Sequence, residues 1–288
     1  MPSMIELIKE LRDRTGAGMM DCKKALEATN SDIDAAIDWL RQKGIAKAQA
    51  KSSRIAAEGL ASVTTKGNKA IIVEVNCETD FVAKGDKFHQ LVADAANATL
   101  ENNYASIEEA KTATASLFTD ATVSMGEKLD YRRFETLTKA DGEGFGSYIH
   151  MGGKIATLVL LEKENAELAQ GLAMHIAANA PKYVTEKDIP AEVVAHEKAI
   201  AMENMKADPK MAGKPEAMLN GICEGKVKKL LSESVLTAQA YLLDGDKTVA
   251  QVLKEAGNNV KAFIRFAVGE GIEKRKDDFA AEVMSQIK

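Results

Sequence analysis

Apolar and polar positions alternate along this chain with two different periods. Near the N-terminus the spacing is helical: Ile5, Leu7, Ile8 and Leu11 predict a first helix, broken at Thr15-Gly16-Ala17-Gly18. The pattern resumes from Asp21 to Ala28, with Ala25 and Leu26 inward. Ser31 reads as the N-cap of a third helix carrying Ile33, Ala36, Ile37 and Leu40, which Gly44 would end. Residues 4–44 thus predict a three-helix unit too small to bury much alone and suited to recognition. An Ala- and Lys-rich helical linker, Ile45 to Ala57, follows.

The period then changes. Ile71-Ile72-Val73-Glu74-Val75 has the β-branched density of a buried strand, turning polar after Asn76, with a helical pattern from about Asp86. Between them, Cys77-Glu78-Thr79-Asp80-Phe81-Val82 places a ring and a carboxylate in a connecting loop. Two readings stay open: Phe81 folds under the helix as core with Asp80 as its cap, or the loop is a binding element. The region also repeats. Glu58-Gly59-Leu60-Ala61-Ser62-Val63 is echoed by Glu143-Gly144-Phe145-Gly146-Ser147-Tyr148, and Gly67-Asn68-Lys69-Ala70 by Gly152-Gly153-Lys154-Ile155, both at an offset of 85. Ala-Ala-Asn-Ala closes the apolar segments ending at Ala98 and Ala180, at an offset of 82. Each copy reads as a hairpin followed by helices, with Leu129 to Leu137 as a further strand of the first, so the fold class is α+β with a two-part core. The second copy has Glu162-Lys163-Glu164-Asn165 where the first has the aromatic loop.

Two helices, about 190–207 and 215–231, flank a segment with two prolines and a glycine. They predict a projecting antiparallel coiled coil that buries Val193, Val194, Ile200, Met218, Ile222 and Val227, with a dimer contact as the lesser alternative. A helix from Thr248 to Ala256, a strand from Ala262 to Val268 and a helix from Asp278 to Ile287 complete the pattern.

Composition narrows the function classes. With 45% hydrophobic and 28% charged residues among 288, the chain reads as globular and multidomain. No apolar run reaches ~18 residues and the start lacks a secretory pattern, which predicts a cytoplasmic protein. Thirty-eight basic against 43 acidic residues give a net charge of −5, favouring a protein partner over nucleic acid or membrane. Cys22, Cys77 and Cys223 form no CxxC pair, and His89, His150, His175 and His196 show no ligand spacing, each reading as a helix-surface or partly buried side chain. Gly16-Ala17-Gly18-Met19-Met20 is no phosphate loop; it reads as a turn offering methionines to a partner. Gly142-Glu143-Gly144-Phe145-Gly146 precedes a hairpin and is no dinucleotide fingerprint. Asp277-Asp278 reads as a solvated helix start. No active site, metal site or cofactor is readable.

Arg12 through Leu26, Asn76 through Val82, and Phe263-Ile264-Arg265-Phe266 running on to Glu273 closely resemble bacterial elongation factor Ts. The resemblance implies a ubiquitin-associated-like module with its linker (1–54), a core N-subdomain (55–140), a core C-subdomain (141–182 and 232–268), a coiled-coil protrusion (183–231) and a C-terminal helical module (269–288). It implies guanine nucleotide exchange on elongation factor Tu, GDP-bound and nucleotide-free, without bond-making chemistry. Thr79, Asp80, Phe81 and Val82 would help dislodge the partner's Mg²⁺. Arg12, Met19, Met20 and Lys23 would contact the GTPase domain, as would Gly126 and His150, and Met125 stands where relatives can carry another aliphatic residue. The last helix, around Phe279, would embrace the same domain. Competing classes are an adaptor binding a protein through its three-helix unit and an enzyme on the α+β core. The Thr79 to Val82 loop separates them: an adaptor has no need of it, and an enzyme would add polar groups around it.

Overall fold

The computed structural model describes residues 2–208, 211 and 214–273, so Phe279, Asp277-Asp278 and the expected last helix lie outside the described residues. The fold is α+β and divides into two compact units. The first runs to Thr136 and adds Ile149–Ala156 and the chain from Phe266; the second is Leu137–Tyr148 and Thr157–Arg265.

The first unit starts with α1 (Met4–Thr15), α2 (Met19–Ala28) and α3 (Ile33–Lys51). Ser3 and Glu6 form a reciprocal capping box at α1, and Gly16, at φ 67°, ends it in the left-handed conformation that lacks a Cβ penalty. Leu7 and Leu11, one turn apart, pack with Leu26, Ala36 and Leu40, whereas Ile5 points to solvent, 80% exposed. The expected cap of the third helix needs correction. The cap of α3 is Asp32, whose carboxylate accepts from Ala35 N at 2.9 Å; Ser31 sits at φ 66° in the preceding turn and is turned away from that role.

Next come β1 (Glu58–Lys66), β2 (Lys69–Cys77), the single turn α4 (Asp80–Ala83), α5 (Asp86–Asn102), α6 (Ile107–Ala113), α7 (Ala115–Met125) and β3 (Asp130–Thr138), with sheet order β1-β2-β3. The Ala-Ala-Asn-Ala echo does not end α5, which runs on to Asn102. Gly44 does not stop α3 either. It lies inside the helix, buried where α3 crosses α7, and a Cβ there would collide with Val123 and crowd Thr119. Helix α3 therefore absorbs most of the expected linker. Strand β2 is buried on both faces. Ile71, Val73, Val75 and Cys77 face Phe88, Leu91, Val92, Ala95 and Ala96 of α5. On the other face, fully buried Glu74 accepts from Arg132 (2.9 Å), Arg133 (2.6 Å), Asn76 (3.2 Å) and the amide of Gly269 (2.8 Å).

The plan repeats with β4 (Gly144–His150), β5 (Ile155–Leu161), α8 (Ala166–Asn179), α9 (Ala191–Ala207), α10 (Glu216–Ser232), β6 (Ala240–Tyr241), β7 (Asp244–Thr248), α11 (Val249–Glu255) and β8 (Val260–Ala267), which fall in the second unit except for residues 149–150 of β4, 155–156 of β5 and 266–267 of β8; the sheet order is β4-β5-β8. Gly144 and Gly146 let β4 approach the start of α8 closely, and a Cβ on Gly146 would strike the Ala169 carbonyl, so the glycine-rich run serves packing. Helices α9 and α10 pack through Ala201, Met202, Met205, Leu219, Ile222, Cys223 and Val227. Ile200 and Met218, expected in that seam, are 41% and 53% exposed. A two-helix contact covers a narrow stripe, and these two residues fall beside it.

Candidate functional site

The stretch after β2 has a definite shape. Thr79 accepts from Val82 N and so caps α4; Asp80 is the first residue of the turn rather than its cap. Val82 packs against the core and Ala83 is buried, while Phe81 projects outward, 84% exposed. The reading of Phe81 as core is thereby excluded. Lys84, one turn on, donates to Asp80 at 2.6 Å. That bond, with a contribution from Lys154, holds the Asp80 carboxyl below the usual carboxylate range.

The base of the turn is fastened to the segment after α7. Gly126, exposed and at φ 75°, ends α7 and turns the chain. Glu127 then accepts from the amides of Glu78 and Thr79, both at 3.0 Å, and from the Thr79 hydroxyl at 2.6 Å. Glu78 reciprocates, accepting from Lys128 N at 2.6 Å and from Arg54 at 3.1 Å. Lys128 donates to the carbonyls of Ser52 and Arg54, each at 2.8 Å, and Lys51 to that of Gly126. Beneath, the Cys77 thiol lies 3.1 Å from the Thr79 carbonyl and is pushed up to about 12 by burial, so it stays protonated.

The turn between β4 and β5 belongs to the same unit. The Ala61 amide donates to Gly153 O at 2.8 Å, and Lys154 pairs with Glu58 at 2.6 Å. This turn carries His150, exposed, between Ile149 (42% exposed) and Met151 (71%). At the start of α2, Met19 and Met20 are 58% and 62% exposed; Arg12 is exposed, and Lys23 pairs with Glu27 at 3.7 Å. Met125 is half-buried against the core. The structure thus brings Gly126 to the Thr79–Val82 turn, and puts the methionines on a different element of the same unit. The sequence reading missed Glu127, Glu78, Lys128 and Arg54, which act across separations of 24 to 76 residues and leave no local signal. Of the histidines, only His175 departs from the expected exposure, being fully buried. Among the described residues no cluster of three or more metal-ligating side chains occurs, and no helix is long and apolar enough to cross a membrane.

Residues 78–270 match the family model described as "Elongation factor TS", and the chain is 49% identical to "Elongation factor Ts" of Acholeplasma laidlawii (strain PG-8A), covering 98% of this chain and 97% of that one. This chain belongs to the elongation factor Ts family. Two other members have similar likeness and the same coverage: those of Lactiplantibacillus plantarum, 48% identical, and Pediococcus pentosaceus, 49% identical. The family match begins at Glu78, the residue that fastens the turn presenting Phe81.

Proposed function

We propose that this chain is a cytoplasmic guanine nucleotide exchange factor for elongation factor Tu, binding its GDP-bound and nucleotide-free states and promoting GDP release during translation elongation. The carrying observation is Phe81, a large apolar side chain held out in solvent by a capped and fastened turn with Asp80 beside it. Exchange requires tighter binding of the nucleotide-free partner than of its GDP form, and such coupling is reciprocal. Burying one Phe against the partner supplies roughly 1.5–3 kcal/mol, about one to two decades of coupling at ~1.4 kcal/mol per decade.

Thr79, Asp80, Phe81 and Val82 form the element that disturbs the partner's Mg²⁺ site. Arg12, Met19, Met20, Lys23, Met125, Gly126, His150 and Phe279 supply the wider contact. Residues 1–54 serve as a ubiquitin-associated-like docking module, and α9–α10 as a coiled-coil protrusion that offers a possible homodimer contact. No bond is made or broken.

The test is the release of fluorescent GDP from elongation factor Tu at saturating concentrations of this protein. Wild type is expected to accelerate release. Because Mg²⁺ demands near-octahedral ligation, small displacements of its ligands are costly. Phe81→Ala and Asp80→Ala are therefore expected to slow release strongly with Mg²⁺ present and much less after chelation. Equal losses in both conditions would leave Phe81 as an interface anchor only; no acceleration by wild type would overturn the exchange reading.

A further inference from the structure

We propose that Glu127 is the positioning residue of the exchange element, acting through Asp80 and Phe81. This rests on the exchange reading above. The turn that presents Phe81 is short: α4 is four residues long, its cap bond from Val82 N to Thr79 is 3.4 Å, and its own helical bonds are Ala83 N to Thr79 O at 3.2 Å and Lys84 N to Asp80 O at 3.1 Å. An isolated turn of this length is not self-supporting, because nucleating a helix fixes several residues for one hydrogen bond. Glu127 provides what is missing. Its Oε2 takes the amides of Glu78 and Thr79 together, and its Oε1 takes the Thr79 hydroxyl, so both oxygens grip the two residues immediately before Asp80 and Phe81.

The grip is made of charge-assisted bonds, which are shorter and stronger than neutral ones. The fastening is mutual: the Glu78 carboxylate accepts from Lys128 N, so each segment's side chain binds the backbone of the other. Thr79 can then direct its hydroxyl hydrogen to Glu127 while its oxygen accepts from Val82 N, and one side chain sets both the entry and the first turn of α4. A carboxylate is the only side chain of this size that accepts at both ends. Gln can keep its carbonyl on the two amides but then turns an NH2 toward the Thr79 hydroxyl, which can no longer donate there, and Asp is one methylene too short.

The experiment measures GDP release from elongation factor Tu, with rate followed against factor concentration, for wild type, Glu127→Ala, Glu127→Gln, the pair Asp80→Ala with Phe81→Ala, and that pair combined with Glu127→Ala. Circular dichroism and urea midpoints monitor folding. Glu127→Ala is expected to lower the saturating rate about tenfold to a hundredfold, the scale of roughly 1 Å misplacement of a working group, with the half-saturating concentration changed less. Glu127→Gln is expected to fall between it and wild type. In a background carrying both Asp80→Ala and Phe81→Ala, adding Glu127→Ala should change the saturating rate less than twofold, since neither working side chain remains to be positioned. Independent, multiplying losses would overturn the proposal and give Glu127 a direct or purely structural role. An undiminished rate in folded Glu127→Ala would overturn it too. Failure of wild type to accelerate release would instead strike the exchange reading itself.

Discussion

At the scale of single residues, two buried groups show what the chain's pattern conceals. Glu74 sits in the middle of a β-branched run and reads as an interruption; besides Asn76, its partners lie at positions 132, 133 and 269, beyond any local spacing. Glu74→Ala leaves two guanidinium groups and an amide without their acceptor. Breaking a buried pair costs about 3–5 kcal/mol, and the partial exposure of both arginines favours about 3 kcal/mol, read as a shift in the urea unfolding midpoint. His175 is fully buried, with Nε2 donating to Gln239 at 2.8 Å while Nδ1 accepts from Leu242 N at 3.1 Å. A second ring proton would face that amide. Burial lowers its pKa from the ordinary 6.5, so below about pH 6.5 the unfolded chain takes up a proton that the folded chain refuses. Stability is expected to fall with decreasing pH from that point until the folded pKa is reached. His175→Gln should flatten this slope in denaturation curves taken between pH 7 and 5.

At the scale of elements, legibility followed locality. The hairpin–helix repeat, the paired helices α9 and α10 and the strand β8 were readable because period, turn chemistry and length agree within each segment. Cap and stop assignments at Ser31 and Gly44 failed where a neighbouring element decides the outcome: a left-handed turn displaces Ser31, and α7 claims Gly44. Glycines separate the two cases by experiment. In α10, Gly221 is exposed with open space where a Cβ would stand, so Gly221→Ala is expected to stabilise the protein by about 0.5–1 kcal/mol through helix propensity. Gly146 lies under the Ala169 backbone, and Gly146→Ala is expected to destabilise by about 1–3 kcal/mol, because backbone cannot swing aside as a side chain can. Thermal unfolding of both variants measures the two signs together. The candidate site divides the same way: the turn's polar-aromatic composition marked it, while Glu127, which fastens its base across 49 and 48 residues, leaves no local signal.

At the scale of the whole molecule, the question is which parts depend on which. The α9–α10 hairpin has its own apolar seam, built on Met205, Cys223 and Val227, separate from the cluster that joins β5, α8 and α11. Its two ends meet at the base. Lys182 N donates to Ser234 O at 2.8 Å, Leu236 N to Tyr183 O at 2.8 Å and Thr237 N to Val184 O at 3.1 Å, and Tyr183 pairs in parallel with Val235. These bonds hold the entry and exit strands side by side without help from the helices. Replacing residues 190–231 by a short Gly/Ser linker therefore closes a small gap, and loop closure adds little entropy cost. The shortened chain is expected to lose helical signal and keep a single cooperative unfolding transition. With Phe81 and its fastening untouched, it should also retain part of its acceleration of GDP release. Complete loss of acceleration in a folded shortened chain would show that the hairpin touches the GTPase or sets geometry the exchange element needs.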